Sequence, residues 1–82
     1  MAEKKSMKPL SEFEIGENGV IVKVAGEGAI RRRLFDMGLT PGTGVYLRKK
    51  APFGDPFEIT IRGYELTLRK AEAAYVEMAV ER

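Results

Sequence analysis

The chain has 82 residues, of which 44% are hydrophobic and 32% are charged, and its formal net charge at pH 7 is +2. A chain of this length forms one domain around one core, and its composition is that of a globular protein. It contains no cysteine and no histidine, which excludes a disulfide framework, a thiolate zinc site and the side chain most often used as a general base.

The charge is unevenly distributed along the chain. Residues 23–70 carry ten basic and five acidic side chains, whereas the segments on either side are weakly acidic. This pattern favours an anionic partner surface, although the excess is mild for a dedicated nucleic-acid-binding protein. No apolar run approaches the ~20 residues of a membrane span, and the first ten residues lack the apolar core of a secretory signal. We therefore expect a cytoplasmic protein.

The first strand is predicted after a patternless start. Residues 1–7 show no periodicity, so we expect a flexible N-terminal tail followed by one domain over residues 8–82. Val20, Val22 and Val24 then alternate with other residues, which predicts a strand with the three valines on one face.

A helix is predicted from Ala29 onward, where the period of the apolar residues changes. Ile30, Leu34 and Met37 are spaced as i, i+4 and i+7, which places them on one helical face. Gly38 follows as a left-handed C-cap. The sequence Thr-Pro-Gly-Thr at 40–43 then predicts a type II turn.

The second half of the chain reads as strands separated by turns. The segment 51–56 contains two prolines and a glycine and is predicted to be a loop. Arg62-Gly63 predicts a tight hairpin turn. Further strands are predicted over 43–50, 57–62, 64–69 and 76–80. About five short strands in so short a chain curl into a small barrel, so the predicted class is all-β with a short inserted helix.

Catalytic chemistry has no support in the sequence. No serine or cysteine nucleophile can be paired with a histidine, since histidine and cysteine are absent. The carboxylates in predicted loops and turns show no spacing that pairs them for acid–base work. We therefore predict that the protein is not an enzyme and has no catalytic residues.

Metal and nucleotide sites are equally unsupported. Asp55, Glu58 and Glu65 could supply oxygen ligands for a hard cation, but their spacing does not resemble a calcium loop, and solvated strand carboxylates are the simpler interpretation. Gly26 and Gly28 form G-x-G without the remainder of a dinucleotide or phosphate-binding motif. We predict no metal ligands and no cofactor.

The segment RRRLFDMGLTPG at 31–42 is the most distinctive in the sequence. It places Leu34, Phe35, Met37 and Leu39 near the end of the predicted helix. They cannot all face one small core, because the neighbours Leu34 and Phe35 diverge by about 100° on a helix. We expect some apolar surface to remain exposed beside the arginines, a combination that suits a protein–protein hot spot.

Two basic runs, at 31–33 and 48–50, leave other kinds of partner open. A nucleic-acid-binding barrel would combine such runs with exposed aromatic platforms, and here only Phe35 and Tyr46 are candidates. A groove for proline-rich peptides would need exposed Tyr and Trp, and the chain has no Trp.

Several motifs, taken in order, resemble the FeoA family over roughly residues 8–80. They are Arg33-Leu34, Met37-Gly38-Leu39, Pro41-Gly42, Ala51-Pro52-Phe53-Gly54-Asp55-Pro56, Gly63 and Leu68-Arg69-Lys70. The resemblance implies an SH3-like barrel with a helix inserted after the first strand. It also implies a role supporting FeoB, the ferrous iron transporter of the membrane that carries a cytoplasmic GTPase domain.

The main hypothesis is thus a cytoplasmic accessory protein that binds this GTPase domain, reaches the membrane only through its partner and binds no nucleic acid. The expected partner surface, part of which must be structural, comprises Arg33, Leu34, Met37, Leu39, Pro52, Phe53 and Gly54. The alternatives are a small basic barrel that binds nucleic acid, or a transition-metal-binding regulatory domain like the C-terminal domain of iron-dependent repressors.

Overall fold

The computed structural model describes residues 6–81, and within them it contains six strands, two α-helices and one 3₁₀ turn. The helices are α1 (Ala29–Asp36) and α2 (Lys70–Ala73), and the 3₁₀ turn is Leu10–Glu12. The strands are β1 (Ser6–Pro9), β2 (Asn18–Val24), β3 (Gly44–Lys50), β4 (Phe57–Ile61), β5 (Tyr64–Leu68) and β6 (Val76–Glu81). The predicted all-β class with one inserted helix is confirmed.

The strands of residues 6–81 form one antiparallel sheet in the order β1-β6-β2-β3-β4-β5. Strand β6 therefore lies between β1 and β2, whereas β1 and β5 are the sheet edges. The predicted turn at Arg62-Gly63 is confirmed. Both residues have positive φ, 45° and 83°, as in the type I′ turns that join the two strands of a hairpin through two residues.

Strand β1 was not predicted. It pairs with residues 77–80 of β6. Its sequence, SMKP, has no alternating apolar pattern, and the side chain of Met7 is exposed. The pairing therefore rests on backbone hydrogen bonds supplied by a strand near the other end of the chain. Two residues of the expected tail, Ser6 and Met7, belong to this strand, and the remainder lies outside the described residues.

The alternation predicted for β2 was wrong in its second half. Ile21 pairs with Met78 and Lys23 pairs with Glu77, so Val22 is an extra residue in a β-bulge. A bulge reverses the inward and outward alternation of the residues that follow it. Ile21 and Val24 are consequently buried, while Val22 is exposed.

The inward-facing residues of the strands, together with residues from the helices and turns, form one core. Its buried apolar members are Leu10, Phe13, Ile21, Val24, Leu34, Leu39, Val45, Leu47, Phe57, Ile59, Ile61, Leu68, Ala73, Val76, Met78 and Val80. Phe35, Met37 and Leu66 are partly buried against it. Burial of apolar surface of this kind is the main favourable term in folding.

The left-handed C-cap predicted at Gly38 is confirmed, and its hydrogen bonds are those of a Schellman motif. The Leu39 amide donates to the Leu34 carbonyl at 3.0 Å, and the Gly38 amide donates to the Phe35 carbonyl at 2.9 Å. Gly38 has a φ of 96°, which glycine adopts without steric cost. The chain thereby reverses direction and returns Leu39 to the core next to the helix.

Candidate functional site

A shallow groove of about 370 Å³ joins the two parts of the chain in which the sequence placed the partner surface. We call it the helix–loop groove. It is lined by Arg33, Asp55, Pro56, Thr67, Arg69 and Glu72. It thus lies between α1, the end of the 51–56 loop, the open edge of β5 and the start of α2.

Arg33 is held at the groove by Glu72. The Arg33 Nη2 atom lies 3.4 Å from Glu72 Oε2, and the Glu72 side chain is only 13% exposed. Glu72 is itself fixed, because its Oε1 accepts the Arg69 backbone N–H at 3.0 Å. This is the carboxylate half of a capping box at the N-terminus of α2. The cap therefore positions an arginine from a different element.

Asp55 anchors the loop at the opposite wall of the groove. Its Oδ1 accepts the Lys70 backbone N–H at 2.9 Å, which is another free amide of the first turn of α2. The loop is closed by two backbone hydrogen bonds, from Gly54 to Ala51 at 2.7 Å and from Ala51 to Pro56 at 3.0 Å. The predicted loop is confirmed, and these hydrogen bonds close it.

Phe53 lies at the outer side of this loop and is 96% exposed. Pro52 is also exposed, and Gly54 is half-buried with a φ of 82°. A phenylalanine so completely exposed on a closed loop leaves most of its apolar surface in water. Burial of that ring by a partner would be favourable, which is typical of an interface anchor.

Two residues of the expected partner surface belong to the core instead. Leu34 is 1% exposed and Leu39 is 0% exposed, so neither can contact a partner. The core contains both leucines, because the reversal of the chain at Gly38 turns Leu39 inward beside Leu34. Phe35 and Met37 remain half-buried, and Arg33 remains exposed.

The outer face of α1 carries a second depression, of about 390 Å³, lined by Gly28, Arg31, Arg32, Phe35 and Asp36. The Arg31 guanidinium lies 4.9 Å from the centroid of the Phe35 ring, a cation–π contact between residues one helical turn apart. The sequence predicted exposed apolar surface beside the arginines, and this contact covers the part of it that Phe35 contributes.

Most members of the two basic runs are engaged within the protein. Arg48 forms ion pairs with both Glu58 and Glu65 at 3.2 Å. Lys50 lies 5.3 Å from the centroid of the Phe57 ring. The ion pairs of Arg48 and Arg33 leave less unpaired positive charge for a nucleic-acid backbone than the sequence suggested.

Residues 6–81 contain no group of three or more acidic side chains arranged to hold a metal ion. Asp55, offered by the sequence as an oxygen ligand, instead caps α2, and Glu58 and Glu65 pair with Arg48. Within the same residues, no helix is long and apolar enough to cross a membrane.

Sequence reasoning missed most of the groove. Thr67, Arg69 and Glu72 had no predicted role in it, although a glutamate three residues after Arg69 is the spacing of a capping box. The sequence predicted a helical turn over 70–73, which is α2, and the spacing could also have indicated the fixed carboxylate. It could not have indicated Arg33, whose contact with Glu72 crosses between distant segments.

Comparison with known proteins identifies the family. The model of the FeoA domain matches residues 8–80. The chain belongs to the FeoA domain family.

The FeoA assignment is supported by a curated relative. The chain is 38% identical, over 69 residues, to the Fe(2+) transport protein A/Fe(2+) transporter FeoB fusion protein of Porphyromonas gingivalis. The match covers 84% of this chain and 8% of that protein. The chain therefore corresponds to a small part of that relative's length.

Solved FeoA structures share the fold. An NMR structure of a FeoA-like protein from Clostridium acetobutylicum has a TM-score of 0.82 and 39% identity, covering 96% of this chain and 88% of that one. The Stenotrophomonas maltophilia FeoA complexed with zinc, described as an SH3 domain protein, has a TM-score of 0.77 and 30% identity, covering 90% and 95%. The predicted SH3-like architecture is confirmed.

The FeoA fold also extends to a repressor. A manganese-dependent transcriptional repressor aligns with a TM-score of 0.84 over 98% of this chain and 45% of the repressor, at 11% identity. At this identity the likeness establishes the fold alone.

Proposed function

We propose that this FeoA-family chain is a cytoplasmic accessory protein of ferrous iron transport that acts by binding the GTPase domain of a FeoB-type transporter. The observation that carries the proposal is the Porphyromonas gingivalis relative, in which an FeoA-like segment and FeoB are one polypeptide. Fusion keeps the two parts at a high effective concentration, which serves domains that work in contact. The protein reaches the membrane only through this partner.

The proposed contact surface is Arg33 and Met37 on the end of α1 together with Pro52, Phe53 and Gly54 on the loop. Leu34 and Leu39 are removed from the set because they are buried. The surface combines an exposed aromatic ring with an arginine that is ion-paired to Glu72 and 66% exposed. Phenylalanine and arginine are among the residues enriched at protein–protein interfaces relative to the rest of the surface.

The role proposed is binding rather than catalysis. The groove's carboxylates, Asp55 and Glu72, each accept a backbone N–H of the first turn of α2. They are therefore committed to holding the loop and Arg33 in place, which suits a preformed contact surface.

A titration of the chain against the full-length transporter in nanodiscs, and separately against its isolated GTPase domain, tests the proposal. We expect saturable binding to both, no binding to empty nanodiscs, and affinity about tenfold or more lower for Arg33→Glu. Arg32→Glu is the matched control, because it makes the same charge change one residue away on the outer face of α1. Equal affinities for the two variants would contradict the proposed surface, and no binding would contradict the proposed function.

A further inference from the structure

The two edges of the sheet differ in how well they are protected against additional strands. Strand β1 has four residues, ends at Pro9 and carries Lys8, whose Nζ bonds Glu17 at 2.8 Å. Short length, lysine and proline are the usual protection of an edge strand. Strand β5 has five residues, no proline and an uninterrupted register with β4. Within residues 6–81, β5 is the unprotected edge.

The register determines which backbone groups of β5 face outward. In a two-residue hairpin the residues flanking the turn, here Ile61 and Tyr64, exchange both hydrogen bonds. Hydrogen-bonded and non-hydrogen-bonded pairs then alternate, so Glu65 and Thr67 direct their N–H and C=O groups away from β4. Neither residue makes a backbone hydrogen bond to another element among the described residues.

The outward edge stops after Thr67. Beyond Leu68, which pairs with Phe57 of β4, the amides are already used, since Arg69 donates to Glu72 and Lys70 donates to Asp55. The open edge thus offers four backbone groups, enough for a short added strand, and one of its residues, Thr67, lines the helix–loop groove.

The charge beside this edge favours an acidic occupant. The Arg33 and Arg69 side chains line the groove, and Arg69 forms no ion pair with any of residues 6–81. Glu72 accepts the Arg69 amide through Oε1 and pairs with Arg33 through Oε2, and Asp55 accepts the Lys70 amide. An extended segment with a carboxylate at this end would meet the unpaired Arg69 guanidinium, which pairs well with a carboxylate.

We propose that the β5 edge takes an extended, acidic segment of the transporter's cytoplasmic portion as an additional strand. The inference rests on the proposed function and specifies how the partner is held. Main-chain hydrogen bonds to Glu65 and Thr67 give affinity, and Arg69 at the groove selects an acidic side chain.

A second copy of this chain is the other occupant from which the test must distinguish the acidic segment. Antiparallel pairing of two β5 strands about Leu66 would place Glu65 of each copy opposite Thr67 of the other. Arg62 and Lys70 lie beyond the strand, in the hairpin turn and in α2, and take no part in such pairing.

The test compares two substitutions at one exposed position. Thr67→Pro removes the outward N–H, which no described residue uses, whereas Thr67→Val keeps it. With the full-length transporter in nanodiscs as the probe, we expect affinity about tenfold or more lower for Thr67→Pro and nearly unchanged for Thr67→Val. Circular dichroism establishes that both variants are folded.

Amide hydrogen exchange of the wild-type chain makes the test independent of how Thr67→Pro folds. We expect the Glu65 and Thr67 amides to exchange about tenfold or more slowly in the complex, with the β1 edge unchanged. Binding without this protection, and undiminished in a folded Thr67→Pro, would overturn the edge inference and leave the proposed function standing. Absence of binding would overturn both.

Sedimentation of the chain alone decides between occupants. We expect the free chain to show no association that depends on the β5 edge. A dimer that Thr67→Pro dissociates, with transporter binding unaffected, would assign the edge to a second copy and overturn the inference.

Discussion

The Tyr64 hydroxyl donates to the Met37 carbonyl at 3.0 Å and so joins the first residue of β5 to the end of α1. Met37 carries one of the carbonyls that a helix end leaves without a partner in the helix. A Cβ atom at Gly38 would lie 2.7 Å from the same hydroxyl oxygen. A side chain at position 38 would therefore force the Tyr64 hydroxyl to move.

Replacement of Gly38 by alanine is expected to destabilise the protein more than replacement of Gly42. Both glycines have positive φ, 96° and 91°, but a Cβ at Gly42 meets nothing within 4 Å. Gly42→Ala should cost about 1–2 kcal/mol for the left-handed conformation alone, and Gly38→Ala more. Urea denaturation measures both free energies of unfolding. Equal losses would show that the contact with Tyr64 contributes nothing.

Tyr64→Phe removes the hydroxyl but keeps the ring. We expect the free energy of unfolding to fall by about 0.5–1.5 kcal/mol, because the Met37 carbonyl loses its donor. Tyr46→Phe is the control, since Tyr46 is similarly exposed and its hydroxyl bonds none of residues 6–81. A thermal melt of the two variants distinguishes them, and indistinguishable melting temperatures would contradict the role given to the hydrogen bond.

Gly19 permits the close approach of β2 and β6. A Cβ there would clash with the Ala79 carbonyl oxygen of the neighbouring strand, whereas at Gly44 the nearest atom would be 4.0 Å away. We expect Gly19→Ala to cost about 3 kcal/mol or more, because the obstacle is backbone and cannot rotate away. Gly44→Ala should cost less than about 1 kcal/mol. Denaturant midpoints that fall equally would refute this account of Gly19.

Leu34 should affect stability rather than partner contact directly. Truncation to alanine leaves a cavity in the core and should cost about 2–5 kcal/mol. Ile30 lies one turn earlier on α1 and is 36% exposed, so Ile30→Ala should cost clearly less. Calorimetry of both variants gives the comparison. A similar loss in both would mean that Leu34 is not the residue that fixes α1 to the barrel.

Local sequence information predicted those parts of the fold that are determined locally. The C-cap at Gly38 and the hairpin turn at Arg62-Gly63 each depend on a few neighbouring residues, and both are confirmed. The bulge at Val22 depends on the pairing of β2 with β6, so the alternation of valines gave no indication of it. Strand β1 depends on the same distant strand and has no apolar pattern of its own.

The candidate site was predictable in its parts but not as a whole. The helix end and the loop were indicated by their unusual apolar residues, and the groove between them is completed by Thr67, Arg69 and Glu72. These three residues lie in one short segment, 67–72, which is far from Arg33 in the chain, and only the folded protein brings the two together. Leu39 was misplaced because its burial depends on how the chain packs after Gly38.

Phe53 offers the most direct test of the central claim, that this FeoA-family protein works by binding a FeoB-type transporter through the end of α1 and the 51–56 loop. Because the ring is almost fully exposed, Phe53→Ser should leave the free energy of unfolding nearly unchanged. The control is Ile15→Ser, which replaces another exposed apolar residue outside the proposed surface.

The decisive measurement is a calorimetric titration of the isolated GTPase domain with the wild-type chain and these two variants. We predict saturable binding by the wild-type chain, the same affinity for Ile15→Ser, and affinity about tenfold or more lower for Phe53→Ser. Wild-type binding that Phe53→Ser does not weaken would contradict the proposed surface. Failure of the wild-type chain to bind would contradict the function itself.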